Sequence, residues 1–232
     1  MNRNGTLIDL KDITKVYTTG RVNVEALKGI TLKIKRGELV AVIGPSGSGK
    51  STLMNIMGCL DTPSAGTYHL DSESVAEFGI HQLASVRNQK IGFIFQNFNL
   101  LNYATAYENV EMPLIFAGRD GKYRKEKVMD CLSKVGLADR ADHKPTELSG
   151  GEMQRVAIAR SLANDPDIVL ADEPTGNLDS KSGGEIISLF ERLNSEGRSV
   201  VTITHDMSIA RRWNRIIKIK DGLIESDIVI GG

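Results

Sequence analysis

The sequence has few cysteines and no excess of charge of either sign, and each shortage excludes a class of protein. Its two cysteines, Cys59 and Cys131, are too few and too distant for a disulfide framework. We therefore expect buried thiols in a reducing, cytosolic setting. Lysine plus arginine equals aspartate plus glutamate at 29 each, so no bulk charge favours nucleic acid or an anionic membrane surface.

Long apolar runs are also missing. No stretch of about eighteen apolar residues occurs, and the opening "MNRNGTLIDLKD" has no apolar core of signal-peptide length. We expect neither a membrane span nor a cleavable signal. With 41% hydrophobic and 25% charged residues, the composition is that of a soluble globular protein, and we expect a single domain over residues 1–232.

What is present is an alternation of short apolar runs and amphipathic segments. "ELVAVI", residues 38–43, is continuous like a buried parallel strand, and "IVLADEP" and "SVVTITH" repeat this character later. Two β-like runs precede it, "TLIDLKDI" and "EALKGITLKI", and residues 97 to about 162 are mainly helical in pattern. The pattern predicts an α/β fold with a largely parallel sheet covered on both faces and an inserted helical segment.

The run "GPSGSGKS" fits the pattern G-x-x-x-x-G-K-[ST] in full, after a predicted strand and at the start of a predicted helix. Its glycines let backbone N–H groups close around phosphates, Lys50 reaches the β and γ oxygens, and Ser51 offers a hydroxyl to Mg²⁺. A glycine-rich turn without a ligand is the alternative, but it does not account for the strand–loop–helix context. The predicted ligand is a nucleoside triphosphate, bound by Gly44, Pro45, Ser46, Gly47, Ser48, Gly49, Lys50, Ser51 and Thr52.

Polar side chains lie at the carboxyl ends of three of the predicted strands, which is where open α/β sheets present ligand groups. Asp172 and Glu173 end "IVLADEP"; the first can hold Mg²⁺ through water and the second can act as general base on the attacking water. His205 ends "SVVTITH" and could contact the γ-phosphate. Gln96 ends "KIGFIFQ" and could sense Mg²⁺ and the attacking water.

Each of these side chains also has a purely structural alternative. Asp172 and Glu173 could be a generic acidic strand end, and His205 could cap a helix. Gln96 could be a turn residue, and Tyr17 in "KVYTTG" is either a ring that stacks on a base or a strand aromatic. The residues alone leave Gln96 and Tyr17 open.

A second glycine turn, "LSGGE", lies about a hundred residues after the first. Ser149, Gly150 and Gly151 come just ahead of a predicted helix, so their hydroxyl and N–H groups and the positive helix end form another anion site. One triphosphate is already enclosed by the first loop. The second site therefore predicts a head-to-tail dimer, in which it binds the triphosphate of another copy.

Together, "GPSGSGKS", Gln96, "LSGGE", "IVLADE", "NLD" and His205, in this order and spacing, resemble the ATP-binding subunit of an ABC transporter over essentially the whole chain. The resemblance implies a RecA-like P-loop NTPase core, an N-terminal antiparallel β subdomain and a helical subdomain inserted at about residues 97–162. It also implies that ATP and Mg²⁺ are the cofactors, that Tyr17 stacks on adenine and that Asp179 links the two sites.

The segments "GCLDTPSAG", "IGFIFQNFNLL", "ENVEMPL" and "ADEPTGNLD" most resemble the macrolide-export and lipoprotein-release branch, the MacB/LolD type. This implies two partners at the cytoplasmic face of the membrane, a second copy and an integral membrane permease, and no nucleic acid. The permease is a separate chain, unless the sequence is a domain excised from a longer protein. An ATPase that gates a membrane signalling complex is an alternative that the sequence does not separate from export. A non-transport ABC ATPase is another, but the long coiled coil, second ATPase domain or basic surface typical of those proteins is missing.

One residue departs from the family pattern, whose signature usually ends in glutamine. Glu152 stands there instead. A carboxylate in the first helical turn suits the helix dipole, but it would repel a triphosphate if its side chain turned inward. We therefore expect Glu152 to point away from the γ-phosphate.

Overall fold

A computed structural model describes residues 5–20 and 22–230 of the chain. Within these residues the strands are β1 (Thr6–Thr19), β2 (Val22–Lys35), β3 (Leu39–Ile43), β4 (Ala65–Leu70), β5 (Glu73–Ser74), β6 (Ile91–Ile94), β7 (Ile168–Asp172), β8 (Ser199–Ile203), β9 (Arg215–Lys220) and β10 (Leu223–Val229). The α-helices are α1 (Lys50–Met57), α2 (Ile80–Lys90), α3 (Ala106–Phe116), α4 (Gly121–Lys134), α5 (Gly150–Leu162), α6 (Ser180–Ser195) and α7 (Met207–Ala210). None of these helices has both the length and the apolar character needed to cross a membrane.

The central sheet has the strand order β10-β9-β3-β8-β7-β6, and only the edge strand β10 runs antiparallel to its neighbour. All residues of β3 are buried, and alternate side chains enter different cores. Leu39, Ala41 and Ile43 pack with residues of α3 to α6, whereas Val40 and Val42 pack with α1 and the first strands. The predicted α/β fold, with a largely parallel sheet covered on both faces, is confirmed.

A smaller antiparallel sheet, β2-β1-β4-β5, forms the N-terminal part of the fold. Its buried side chains, among them Leu10 and Ile30, share a core with Leu53 and Met54 of α1. The expected N-terminal antiparallel subdomain is therefore present, and it packs on the helix that follows the phosphate loop.

The inserted helices are α3, α4 and α5, between β6 and β7. They begin later than the predicted position 97, because residues 97–105 form turns. Asn109, which is buried, holds these turns: its oxygen accepts from Leu101 N at 2.8 Å, and its nitrogen donates to the carbonyls of Leu101 and Ala104. The assignment of residues 1–232 to one domain with a distinct helical subdomain stays a prediction.

The C-terminal hairpin turns at Asp221 and Gly222, both with positive φ. Gly222 N donates to Ser48 O at 3.0 Å, so this turn touches the phosphate loop. Both cysteines are free and buried, as expected, and burial raises the pKa of Cys131 to about 11.

Candidate active site

The phosphate loop, residues 44–49, connects β3 to α1 and is enclosed by backbone from distant parts of the chain. A Cβ at Gly44 would lie 2.1 Å from Ile219 O, and one at Gly49 would lie 2.6 Å from Ala26 O. Both glycines have positive φ. The loop therefore accepts only glycine at these points, which leaves its N–H groups free of side-chain cover.

Lys50 and the start of α1 complete the loop. Lys50 Nζ donates to Gly44 O at 2.9 Å and to Pro45 O at 2.8 Å, so its ammonium lies inside the curve of the loop. The N-terminus of α1 has no side-chain cap, and Ser48 is buried with no protein partner for its hydroxyl among the described residues. Free N–H groups, a positive helix end and an enclosed ammonium fit a chain of phosphates.

The other predicted loop residues lie around this core of the site. Ser46 and Gly47 are exposed at the tip of the loop, and Ser51 is exposed in the first turn of α1. Thr52 is half-buried and lies beside the hydroxyl of Tyr17.

Asp172 ends β7, on the sheet edge that faces the loop. Burial raises the pKa of its carboxyl, as does the charge of Glu173, and the Lys50 ammonium opposes that rise. Asp172 and Lys50 are therefore close enough to interact. Hydroxyl, amide and carboxylate oxygens, from Ser51, Gln96 and Asp172, are ligands suited to Mg²⁺.

Glu173 and His205 meet at the ends of the neighbouring strands β7 and β8. Glu173 Oε1 lies 2.8 Å from His205 Nδ1. The Glu173 side chain is 17% exposed and that of His205 76% exposed. The structure thus brings together the two predicted catalytic side chains, with the carboxylate shielded and the imidazole open.

The backbone at Glu173 has an unusual conformation, with a φ of 44°. Its N–H donates to Ile203 O at 2.9 Å, and its carbonyl accepts from Gly176 N at 3.0 Å. A residue with a Cβ rarely adopts positive φ, so the surrounding structure must hold it there.

Gln96 is exposed two residues beyond β6, and it packs on the loop that follows Glu173. Its backbone carbonyl accepts a hydrogen bond from Asn177 Nδ2 at 2.9 Å. A Cβ at Gly176 would lie 2.9 Å from Gln96 Nε2, so a glycine there leaves room for the amide. The sequence analysis missed both Gly176 and Asn177, although they lie within the quoted "ADEPTGNLD".

Tyr17 lies on β1 in a polar cluster that the sequence did not predict. Its hydroxyl donates to Asp61 Oδ2 at 2.8 Å, and Lys15 Nζ lies 5.0 Å from the ring centroid and 2.6 Å from Asp61. Burial and Asp61 raise the pKa of the Tyr17 hydroxyl. The ring is fixed in position and 38% exposed, and its stacking on adenine stays a prediction.

Ser149 caps the N-terminus of α5 in a reciprocal pair with Glu152. The hydroxyl of Ser149 accepts from Glu152 N at 3.3 Å and donates to Glu152 Oε2 at 2.8 Å, and Ser149 N donates to the same oxygen at 2.9 Å. These bonds, the backbone one first, lower the pKa of Glu152. The carboxylate therefore turns back onto its own cap, and it engages the hydroxyl that the sequence predicts as an anion donor.

The second glycine turn, "LSGGE" at residues 148–152, is called the signature turn below. Its two glycines pack against the start of α6. A Cβ at Gly150 would lie 3.4 Å from Leu178 Cδ2, and one at Gly151 would lie 3.0 Å from Ser182 Oγ. Asp179 caps α6, and its carboxylate accepts from Lys181 N and Ser182 N, both at 3.0 Å. The backbone N–H of Ser182 is the main cause that lowers the pKa of Asp179. The signature turn therefore packs, within one chain, directly against the start of the helix that Asp179 caps.

Gln154, on α5, is a buried polar residue of the site that the sequence analysis missed. Its Nε2 donates to Pro174 O at 2.7 Å, next to Glu173. No local pattern marks a glutamine whose partner is a backbone carbonyl on another element.

Comparison with known proteins is consistent with this geometry. The family model described as "ABC transporter" matches residues 27–176. An uncharacterized ABC transporter ATP-binding protein of Thermotoga maritima is 52% identical, over 94% of each chain. The macrolide export ATP-binding/permease protein MacB of Bdellovibrio bacteriovorus is 53% identical over 95% of this chain, which spans 34% of that protein.

A solved structure shares the fold. It is a dimeric ATP-binding cassette in a post-hydrolysis state bound to ADP and Pi, and it is 48% identical with a TM-score of 0.90, covering 97% of this chain and 100% of its own. The predicted resemblance to MacB-type proteins is confirmed by the relatives, and the predicted fold class by this structure. On its fold, its site and its relatives, this chain belongs to the ABC transporter family as an ATP-binding cassette.

Proposed function

We propose that two copies of this chain enclose two molecules of ATP head to tail, hydrolyse them, and thereby drive a membrane permease. The observation that carries the proposal is the contact of Glu173 with His205, at the sheet edge that also carries Asp172 and the phosphate loop. A carboxylate held beside a phosphate site is the arrangement that hydrolysis requires. The dimeric relative bound to ADP and Pi supports the assembly.

In the bound state, the loop N–H groups and Lys50 hold the phosphates. Lys50 Nζ exchanges the carbonyls of Gly44 and Pro45 for phosphate oxygens. Ser51, Gln96 and Asp172 hold Mg²⁺, which, when bound, neutralises charge on the β- and γ-phosphates. Tyr17 stacks on the adenine ring.

In the chemical step, Glu173 takes a proton from water as the water oxygen attacks the γ-phosphorus. The bond from the γ-phosphorus to the bridging oxygen breaks, and ADP and phosphate leave. His205 Nδ1 orients the carboxylate through the 2.8 Å contact. The open face of the imidazole is then available to the γ-phosphate.

The partner's signature turn closes each site. Ser149 and Asp179 are exposed on one chain and joined through the packing of α5 on α6, so both meet the second copy together. The partner's triphosphate replaces Glu152 as the acceptor for the Ser149 hydroxyl, or it is bound through the N–H groups of Gly150 and Gly151.

The permease contacts the surface between the core and the inserted helices. A groove of about 270 Å³ there is lined by Phe95, Asn99 and Pro113, among others. Arg160 of α5 also lines it and donates to the carbonyls of Phe98 and Asn99 in the loop after Gln96. Because Arg160 and Ser149 share one helix, a displacement of this loop reaches the signature turn.

On this proposal the cassette acts at the cytoplasmic face of a membrane. The MacB relatives are macrolide exporters by name, and they combine an ATP-binding part with a permease. By analogy, the cargo of the present system is an antibiotic, a peptide or a lipoprotein.

The substitution Glu173→Gln tests the chemical step. We expect turnover to fall by about 100-fold or more, because the general base is lost. Binding of ATP is retained, and the protein accumulates as an ATP-dependent dimer in size-exclusion chromatography. Glu196→Gln, at an exposed position after α6, is the matched control and keeps wild-type turnover. A monomeric, fully active Glu173→Gln protein would refute the mechanism.

The same variant tests the membrane partner. When purified from native membranes in the presence of ATP, Glu173→Gln should retain an integral membrane chain with a large extracytoplasmic domain, which mass spectrometry identifies. Recovery of nucleic acid or ribosomes in its place would overturn the transport role and leave the ATPase intact.

A further inference from the structure

Gln154 is a fully buried polar side chain that the catalytic scheme above does not use. Its relative exposure is 0%, and its Nε2 donates to Pro174 O at 2.7 Å. Its side-chain oxygen has no protein partner among the described residues. Burial of an amide with one group unpaired costs free energy relative to an apolar side chain of the same shape. A role in position, rather than in stability, accounts for glutamine at this site.

The carbonyl that Gln154 holds belongs to the residue after Glu173. With a φ of 44°, Glu173 has a backbone conformation that is unfavourable for a residue with a Cβ. The strand β8 holds its N–H through Ile203 O, and the following turn holds its carbonyl through Gly176 N. The bond from Gln154 fixes the next peptide from a separate element, the helix α5.

Gln154 also lies on the face of α5 that meets the segment from Glu173 to Ser182. Gly151, three residues earlier, is on the same helical face and packs on Ser182. Ser149 starts this helix. One helix therefore links the signature turn, which in the proposed function serves the partner's ATP, to the peptide that follows this chain's own general base.

We propose that Gln154 is a positioning residue that reports engagement of the signature turn to Glu173 of the same chain. When the partner's triphosphate fixes Ser149 to Gly151, α5 is fixed, and the bond from Gln154 to Pro174 O holds Glu173 in its catalytic position. Hydrolysis at one site thus depends on occupation of the other. This inference rests on the proposed function, in which Glu173 is the base and the dimer encloses ATP.

The first test is Gln154→Met, which keeps the length of the side chain and removes the donor. We expect kcat to fall by about tenfold, because small displacements of a catalytic group carry large costs in rate. The KM for ATP should stay within about threefold of wild type. Combined with Glu173→Gln, Gln154→Met should still form the ATP-dependent dimer. Ser161→Ala is the matched control, because Ser161 is a buried polar residue of α5 whose hydroxyl bonds within its own helix.

The second test is Gln154→Glu, which distinguishes a hydrogen bond from packing. A protonated carboxyl can donate to Pro174 O as the amide does, and an ionised one cannot. Turnover relative to wild type should therefore rise as pH is lowered from about 8.5 to about 6, since burial favours the protonated form.

These outcomes separate the two proposals. If Glu173→Gln alone does not dimerise with ATP, the proposed function fails, and this inference fails with it. If it dimerises, wild-type kcat in Gln154→Met overturns this inference alone. The same holds for a reduced but pH-independent turnover in Gln154→Glu. A parallel loss of kcat, ATP affinity and dimer in Gln154→Met would show a general structural role and also overturn it.

Discussion

The two glycine turns of this chain look alike in sequence but differ in what requires their glycines. At Gly44 and Gly49, positive φ and the carbonyls of Ile219 and Ala26 leave no space for a Cβ. Gly150, in contrast, begins a regular helix. The nearest atom to a Cβ there would be Leu178 Cδ2 at 3.4 Å, which is an ordinary van der Waals contact. The first turn needs glycine at these two positions for the fold of its own chain, whereas the second turn does not need it at position 150.

The difference separates requirements of folding from requirements of binding. A glycine that its own chain does not need is explained by a group that approaches from outside, which in the proposed function is the triphosphate bound by the partner. Ser149 is exposed at the surface. It can therefore both cap its own helix and serve as the proposed ligand group for the partner's triphosphate.

The largest effect is expected for Gly44→Ala. The added Cβ would lie 2.1 Å from Ile219 O, so either the loop or the end of β9 must move. We expect a loss of about 1–3 kcal/mol in the free energy of unfolding, measured by thermal denaturation, together with loss of ATP binding in titration calorimetry. Wild-type ATP affinity in this variant would contradict the view that backbone packing shapes the loop.

Gly150→Ala should leave stability and ATP binding intact and lower turnover, the opposite of the pattern expected for Gly44→Ala. Alanine favours a helix over glycine by up to about 1 kcal/mol, so stability should be unchanged or slightly higher. The isolated chain should bind ATP as before. Turnover, which needs the partner, should fall by about tenfold or more, because the Cβ obstructs close approach to the partner's phosphates. Full turnover would show that glycine at position 150 is not needed for contact across the dimer.

The smallest effect is expected for Glu152→Gln. Glutamine keeps an oxygen for the cap of α5 but loses the favourable charge at the helix N-terminus, so the free energy of unfolding should fall by about 0.5 kcal/mol. Affinity of the ATP-dependent dimer should change by less than about tenfold, since the carboxylate already faces Ser149. A gain of tenfold or more would mean that Glu152 repels the partner's phosphates.

The effect of Glu152→Gln on the free energy of unfolding should also depend on pH. The folded state lowers the pKa of Glu152, so its ionised carboxylate stabilises the protein at pH values above its ordinary range. This contribution is lost as pH falls through the lowered pKa. The difference in stability between wild type and Glu152→Gln should therefore shrink toward zero in acid, which thermal denaturation between about pH 7 and pH 3 measures.

Much of the fold follows from the sequence, for reasons visible in particular elements. The strands β3, β7 and β8 are continuous apolar runs because both sheet faces are covered, and their ends place Glu173 and His205 together. The helix α2 was missed because its apolar face is small: none of its residues is fully buried, and only the partly buried Leu83 and Val86 pack on the core.

The part of the site that the sequence did not predict consists of contacts between distant residues. Gln154 bonds to a backbone carbonyl twenty residues away, and Tyr17 on β1 bonds to Asp61 in the connection between α1 and β4. The positive φ of Glu173 has no signature in its own residue type. Such features depend on how elements pack, so a local pattern does not contain them.

The contact of the phosphate loop with the C-terminal hairpin also has a consequence for biosynthesis. The loop is made well before Ile219 O and Gly222 N, which back Gly44 and Ser48. A nascent chain that carries the complete "GPSGSGKS" therefore lacks one wall of the loop until residue 222 has left the ribosome. The closed form of the loop therefore depends on synthesis of the hairpin, far along the chain from the glycine run itself.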